Sequence, residues 1–114
     1  MKTAKQFHDF FAAIPAWKWT TGTKEGSFGR RCAIGHLAHR SPWEAGDWKV
    51  NLYRIFQALH SDAEHISIVP NINDQGLVWE KRDDDYFHPV RRYRQWTAKG
   101  RILAALKAAM KVGL

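Results

Sequence analysis

Hydrophobic residues recur with helical spacing in four stretches of the chain, and each stretch predicts one α-helix. The first stretch follows the i, i+3, i+4, i+7 spacing of a helix face, with Phe7, Phe10, Phe11 and Ile14 as its members. Thr3 and Gln6 add the residue types of a capping box at its start. The four predicted helices span residues 3–14, 30–40, 42–60 and 97–112. We expect Ser41 and Glu44 to form a second capping box at the start of the third helix.

One segment lacks helical spacing and has strand and turn character instead. The stretch HISIVP is rich in β-branched residues, NINDQG contains turn-forming residues, and LVWE follows directly. These features predict a small β-hairpin near residues 65–80. The whole pattern indicates an α+β fold, mainly α, in a single globular domain over residues 1–114.

Composition narrows the functional classes. The N-terminus carries charges where a signal peptide needs an apolar stretch, and no apolar run reaches the length of a membrane span, so we expect a cytoplasmic protein with no membrane partner. A single cysteine excludes an internal disulfide and suits a reducing compartment.

The net charge of +7 is concentrated at one end of the chain. Residues 1–90 contain 11 acidic and 11 basic residues, whereas residues 91–114 contain seven basic residues and no acidic residue. This asymmetry predicts a basic C-terminal surface that binds nucleic acid or an acidic protein surface. Its candidate contact residues are Arg91, Arg92, Tyr93, Arg94, Trp96, Lys99, Arg101, Lys107 and Lys111. The alternative is a solvated helix face beside the acidic run at residues 83–85.

The stretch CAIGH raises a second possibility, a cysteine enzyme. Cys32 and His36 are one helical turn apart, and the helical wheel places them opposite the aliphatic side of their helix. We therefore expect them to face solvent, another element or a pocket. Arginines beside a cysteine at a helix N-terminus favour the thiolate, which is the nucleophilic form. The candidate catalytic residues are Cys32, His36, His65, Asn73 and Asp74.

Each of these residues also has a structural interpretation. Asn73 and Asp74 are typical of Asx turns or caps of a neighbouring helix, and Gly35 would let its helix approach a neighbour closely. His36 and His39 have the spacing of two metal ligands, but no further cysteine or histidine pair completes a recognised zinc pattern. We therefore predict no metal and no cofactor.

Four elements of the chain form a layout that resembles a known family. They are FFAAIPAWKWTTGT, CAIGHLAHR, an Ile-Asn-Asp element at residues 72–74, and TAKGRILAALKAA. Together they are similar to a family of small uncharacterised proteins of phages, prophages and bacteria. The resemblance covers most of the chain and implies an intracellular accessory protein of phage type. It also marks Cys32, Asn73 and Asp74 as the positions at which to look for a function. It implies no activity.

These observations support three functional hypotheses. The first is non-covalent binding of an acidic partner, either nucleic acid or a host protein that processes nucleic acid, through the basic C-terminal surface. The second is a small cysteine hydrolase or amide transferase that uses Cys32. The third is a protein-binding inhibitor of a host system. The first is the prediction that the charge pattern favours, in the cytoplasm of a bacterial host cell.

Overall fold

The computed structural model describes residues 2–60, 68–81, 83 and 85–114. These residues form five α-helices and one two-stranded antiparallel sheet. The helices are α1 (Ala4–Ala12), α2 (Ala33–Arg40), α3 (Ala45–Leu59), α4 (Ile68–Gln75) and α5 (Ala98–Lys111), and the strands are β1 (Leu77–Lys81) and β2 (Phe87–Arg91). The predicted α+β, mainly α class is confirmed, with one helix more than the four that were predicted.

The first and last helices both begin at side-chain caps, and the first of these, the capping box of Thr3 with Gln6, confirms the prediction. The Thr3 hydroxyl accepts a hydrogen bond from the Gln6 backbone N–H at 3.3 Å, and the Gln6 side chain accepts from the Thr3 N–H at 2.8 Å. The Thr97 hydroxyl accepts from the Gly100 N–H at 2.9 Å. Because these bonds satisfy N–H groups that the helix itself leaves unpaired, both helices start where their hydrophobic patterns begin.

The core lies around α5, which packs against α1, α3 and α4. Its largest fully buried side chains are Phe7, Phe11, Leu37, Leu52, Ile55, Phe56, Ile68, Val69, Ile72, Val78, Ile102 and Leu106. The apolar faces predicted for α1, α3 and α5 supply most of them, and α4 supplies three. No helix within the described ranges is long and apolar enough to cross a bilayer.

The start of α3 differs from the prediction. The Ser41 hydroxyl accepts from the Trp43 N–H at 3.0 Å, two residues along, and Glu44 occupies the N-cap position without a side-chain cap bond. The predicted capping box of Ser41 with Glu44 is therefore wrong, because Ser41 makes a local turn instead of a helix cap.

The predicted hairpin exists but is displaced along the chain: LVWE forms one of its strands, as predicted, whereas the other strand follows it instead of preceding it. Residues 68–75, expected to contribute to the hairpin, form α4, and the hairpin joins β1 to β2 over residues 77–91; residues 65–67 lie outside the described ranges. Ile68, Val69 and Ile72 are all buried, and this spacing fits one helix face as well as a strand. Pro70 lies in the first turn of α4, where a backbone N–H has no helical partner to lose.

A loop over residues 20–30 covers α2 and requires a glycine in that helix. A Cβ built at Gly35 would lie 2.0 Å from the carbonyl oxygen of Lys24. The close approach expected at Gly35 is confirmed, and its neighbour is a loop. Cys32 and His36 lie outside the hydrophobic core cluster and each lines a cavity, as expected for a face turned toward another element or a pocket. Both side chains are nevertheless buried: Trp19, from the segment before this loop, packs on His36 with ring centroids 4.8 Å apart.

Candidate functional site

A basic cleft lies where the ends of α4 and β2 meet the start of α5. It has a volume of about 610 Å³. The cleft is defined by the residues that line it, which are Asp74, Gln75, Arg91, Tyr93, Arg94, Gln95, Trp96 and Arg101. Three of them are arginines and one is an aspartate, so the charge of the cleft is net positive. Five of the nine predicted contact residues line it.

Gly76 and Tyr93 join the two sides of the cleft. Gly76 follows α4 with φ +68°, and its carbonyl accepts from the Tyr93 N–H at 3.1 Å. The Tyr93 ring is buried, and its hydroxyl lies 2.8 Å from Nε2 of His60, the residue that follows α3. Burial raises the pKa of Tyr93 to about 12. Tyr93 is therefore an anchor that fixes the segment from β2 to α5.

Arg101 holds the floor of the cleft in place. Its guanidinium donates to the Asn73 carbonyl from Nε (3.0 Å) and Nη2 (2.8 Å), and to the carbonyls of Gln95 and Trp96 from Nη1 (both 3.0 Å). Burial lowers the pKa of Arg101, and the nearby Asp74 carboxylate opposes that effect. One buried cation thus ties the end of α4 to the segment that carries Trp96.

Trp96, Arg91 and Arg94 form the exposed rim of the cleft. Trp96 is 98% exposed, and both arginines are exposed as well. The Arg94 Nε donates to the Arg91 carbonyl at 3.2 Å, which holds the Arg94 stem beside β2. Because Arg101 binds the Trp96 carbonyl, a fully solvated indole projects from a backbone that is held in position.

The other predicted contact residues lie away from the cleft. Arg92 forms a two-pronged ion pair with Glu80 across the hairpin, at 2.5 and 2.6 Å. Lys99 donates to the Ala12 carbonyl at 3.0 Å, on the side of α1. Lys107 and Lys111 are exposed and lie about 9 and 15 Å farther along the α5 axis than Arg101. The predicted basic surface is thus divided, and the cleft is the part that combines cations with an exposed ring.

Cys32 caps α2 and lines a different cavity of about 310 Å³. Its Sγ accepts from the Gly35 N–H at 3.5 Å. The cavity brings Cys32 together with Asp74 and Tyr53, and burial, followed by the influence of Cys32, raises the pKa of Tyr53. No histidine of the described residues lines it, and the predicted partner His65 lies outside them.

Asn73 is buried and fully used in holding neighbouring elements. Its Oδ1 accepts from the Ala33 N–H at 3.0 Å, and its Nδ2 donates to the Thr20 carbonyl (3.0 Å) and to Asp74 Oδ1 (2.8 Å). The structural interpretation of Asn73 as the cap of a neighbouring helix is confirmed, because Ala33 is the first residue of α2. These bonds use both N–H groups of the Asn73 amide and tie Asn73 to α2 and to the loop before it.

His36 lines a third cavity, of about 210 Å³, together with Lys18, Phe28 and Arg31. The structure therefore places Cys32 and His36 in separate cavities on two sides of α2. Burial lowers the pKa of His36 to about 4; a backbone contact with Lys18 opposes this, and Arg31 adds to it. In the described ranges, no three His, Cys, Asp or Glu residues group as metal ligands would.

The buried imidazole predicts an acid-sensitive fold. His36 is neutral in the folded protein and takes up a proton near pH 6.5 once unfolded, so its contribution to stability is present above pH 6.5 and is lost as the pH falls towards 4. We expect the free energy of unfolding, measured by urea titration, to be about 2 kcal/mol lower at pH 4.5 than at pH 7. His60, whose pKa burial also lowers, acts in the same direction.

The control for this prediction is His36→Gln, which cannot titrate in this range. It should lose most of the difference between the two pH values and keep the part that His60 contributes. An unchanged pH dependence in His36→Gln would contradict the assignment.

Two residues of the cleft, Gln75 and Gln95, carried no signal that sequence reasoning used. Asp74 was predicted as a catalytic partner of Cys32, and it lines both the cleft and the Cys32 cavity. The turn residue Gly76, at the end of NINDQG, was the available sign that α4 ends beside Asp74 and Gln75. Comparison of the chain with known protein families, with curated proteins and with solved structures finds no match.

Proposed function

We propose that the protein binds single-stranded nucleic acid in the cleft, with Trp96 stacking on an unpaired base and Arg91 and Arg94 contacting phosphates. The observation that carries this proposal is the fully exposed Trp96 ring, which lines the same cavity as two exposed arginines. An exposed indole leaves a large apolar face in contact with water and contributes nothing to the core. Stacking on a nucleic-acid base would cover that face.

The size and charge of the cleft support a nucleotide-sized ligand. A volume of about 610 Å³ lies within the range of small-molecule sites, and it suits one nucleotide with a neighbouring phosphate. Exposed arginines present planar donor forks, which match phosphate oxygens. Arg101 lies below them with its donors engaged by backbone carbonyls, so it contributes charge to the cleft while keeping its shape.

An unpaired strand fits better than a duplex. Trp96 can stack only on a base whose face is open, and bases in a duplex are stacked on each other. Duplex reading requires a helix or ribbon that enters a groove, whereas the rim residues Arg91, Arg94 and Trp96 surround a concavity. The bases would therefore enter the cleft and the backbone would follow its rim.

The test is a binding assay with a fluorescent single-stranded oligonucleotide of about 12 nucleotides, followed by anisotropy at several salt concentrations. Trp96→Ala should weaken binding by about 1–3 kcal/mol, and Trp96→Phe should retain part of the affinity because it keeps a ring. The double substitution Arg91→Gln with Arg94→Gln should reduce the slope of log K against log salt by about 1.4, since two phosphate contacts are lost.

The matched control removes the same charge elsewhere. Lys107→Gln with Lys111→Gln lowers the net charge by the same amount on the exposed side of α5, away from the cleft. It should leave the Trp96 effect intact and change the salt slope little. Equal losses in the two double variants would show that only net charge matters, and a salt-independent affinity would contradict phosphate contact altogether.

A further inference from the structure

The His36 cavity has the chemistry of a second anion site, on a different part of the surface from the cleft. Its lining includes Lys18, Phe28, Arg31, His36, His39 and Arg40. None of the described residues that line it is acidic. The two cavities share no lining residue, so what binds here is independent of the cleft.

The positive charge of this cavity is only partly neutralised. Arg31 reaches Glu25 at 3.2 Å and also donates to the Gly29 carbonyl at 3.1 Å. Arg40 lies in the last turn of α2, where the helix carbonyls offset part of one positive charge. Lys18 lies over the exposed Trp17 ring, 5.4 Å from its centroid, and this contact leaves its charge in place. An anion in the cavity would face a net positive field.

Phe28 is held at the edge of the cavity in an unfavourable state. Its backbone has φ +61°, a left-handed conformation that side chains other than glycine rarely adopt, and its ring is 87% exposed. Bonds from the Gly26 N–H to the Arg30 carbonyl (2.7 Å) and from the Arg30 N–H to the Ser27 carbonyl (3.3 Å) close the turn around it. A residue that is both strained and exposed does not stabilise the fold, and such residues are typical of ligand-binding sites.

His36 supplies a further polar group at the inner wall. The residue is 2% exposed, and its Nε2 has no hydrogen-bond partner among the described residues. His36 is also one of the residues that line the cavity, so its ring lies beside the space that a ligand would occupy. A phosphate bound there would favour the protonated imidazole.

We infer that the His36 cavity binds the phosphate group of a nucleotide, with Lys18, Arg31 and Arg40 around the phosphate and the base stacked on the exposed Phe28 ring. The cavity volume of about 210 Å³ accommodates the phosphate, and the base lies outside it on the turn. The shared chemistry is a phosphate linked to an aromatic base, whether from a free nucleotide or from a nucleic-acid chain.

The test uses three probes on the full chain: AMP, adenosine and inorganic phosphate, titrated by calorimetry and by NMR of the histidine side chains. AMP should bind at least tenfold more tightly than either adenosine or phosphate, and it should shift the His36 resonances. Arg40→Gln should weaken AMP binding at least threefold. AMP that binds no better than adenosine would overturn the phosphate assignment, and absence of binding by AMP would overturn the site.

Phe28→Gly separates the binding role from a structural one. Glycine adopts φ +61° without strain, so this variant should be at least as stable as the parent protein. It should nevertheless lose the advantage of AMP over inorganic phosphate. AMP binding that is unchanged in Phe28→Gly would overturn the stacking role.

The Trp96→Ala background distinguishes this site from the cleft and distinguishes the two sources of ligand. In Trp96→Ala, AMP should still shift the His36 resonances, and at the same AMP concentrations as in the parent protein, so failure of the nucleic-acid proposal for the cleft leaves this inference standing. In that background, AMP is compared with a dinucleotide that carries only an internal phosphodiester. Tighter AMP binding indicates that the ligand is a free nucleotide, and tighter dinucleotide binding indicates that it is a nucleic-acid chain. Loss of the AMP-dependent shift of His36 in Trp96→Ala would overturn the separate site.

Discussion

Gly76→Ala is expected to destabilise the protein by about 4 kcal/mol and to disrupt the cleft. A Cβ at this position would lie 1.7 Å from the Tyr93 carbonyl oxygen and 2.7 Å from its carbon, so the hairpin would have to move away from the end of α4. Gly76 also has φ +68°, where alanine is strained before any contact is considered. The measurement is urea unfolding followed by tryptophan fluorescence.

Two other glycines separate these causes. Gly22 has φ +75° with no atom within 4 Å of a built Cβ, so Gly22→Ala measures the backbone strain alone, about 1 kcal/mol. Gly46 lies within α3 with free space around it and without positive φ, and Gly46→Ala should stabilise the helix by about 0.5–1 kcal/mol. If Gly76→Ala costs no more than Gly22→Ala, the close approach to Tyr93 does not limit the fold.

Local signals predicted the parts of the fold whose causes lie within a few residues. The capping box of Thr3 with Gln6 involves residues three apart in the chain, and it was predicted. The segment from Ile68 to Gln75 was mispredicted, because β-branched residues favour a strand locally whereas burial against α5 selects the helix. The residue that covers His36 was not predicted for a similar reason, since Trp19 lies 17 residues earlier in the chain.

The candidate site was predictable only where basic residues that are close in the sequence are also close in the structure. Arg91, Arg94 and Trp96 are close in the sequence, and they also share one cavity. Lys107 and Lys111 carry the same charge, but the rise of α5 takes them away from the cleft. No sequence signal distinguishes these two groups without the path of the backbone. The predicted pairing of Cys32 with His36 in one site was not found for the same reason. One turn of helix brings the two residues near each other in the sequence pattern, yet in the structure they line different cavities.

Arg101 illustrates a role that composition conceals. It counts as one of seven basic residues at the C-terminal end of the sequence. Its donors nevertheless bind backbone carbonyls of two separate segments, at the end of α4 and just before α5. Arg101→Met is expected to destabilise the protein by about 3–5 kcal/mol, because the carbonyls of Asn73, Gln95 and Trp96 would lose their donors where water has limited access. The measurement is again urea unfolding, at pH 7 so that the buried His36 and His60 remain neutral.

Arg101→Lys tests whether geometry or charge is responsible. Lysine keeps the cation but lacks the planar fork that spans three carbonyls, so the variant should recover less than half of the lost stability. Lys99→Met is the matched control, because Lys99 makes a single exposed bond to the Ala12 carbonyl and should cost under about 1 kcal/mol. Where Arg101→Lys remains folded, its affinity for single strands should fall although the rim is intact, since the Trp96 carbonyl has lost its tether. Full stability and full affinity in Arg101→Lys would instead assign Arg101 to the electrostatic surface, and the cleft would then owe its shape to Gly76 and Tyr93 alone.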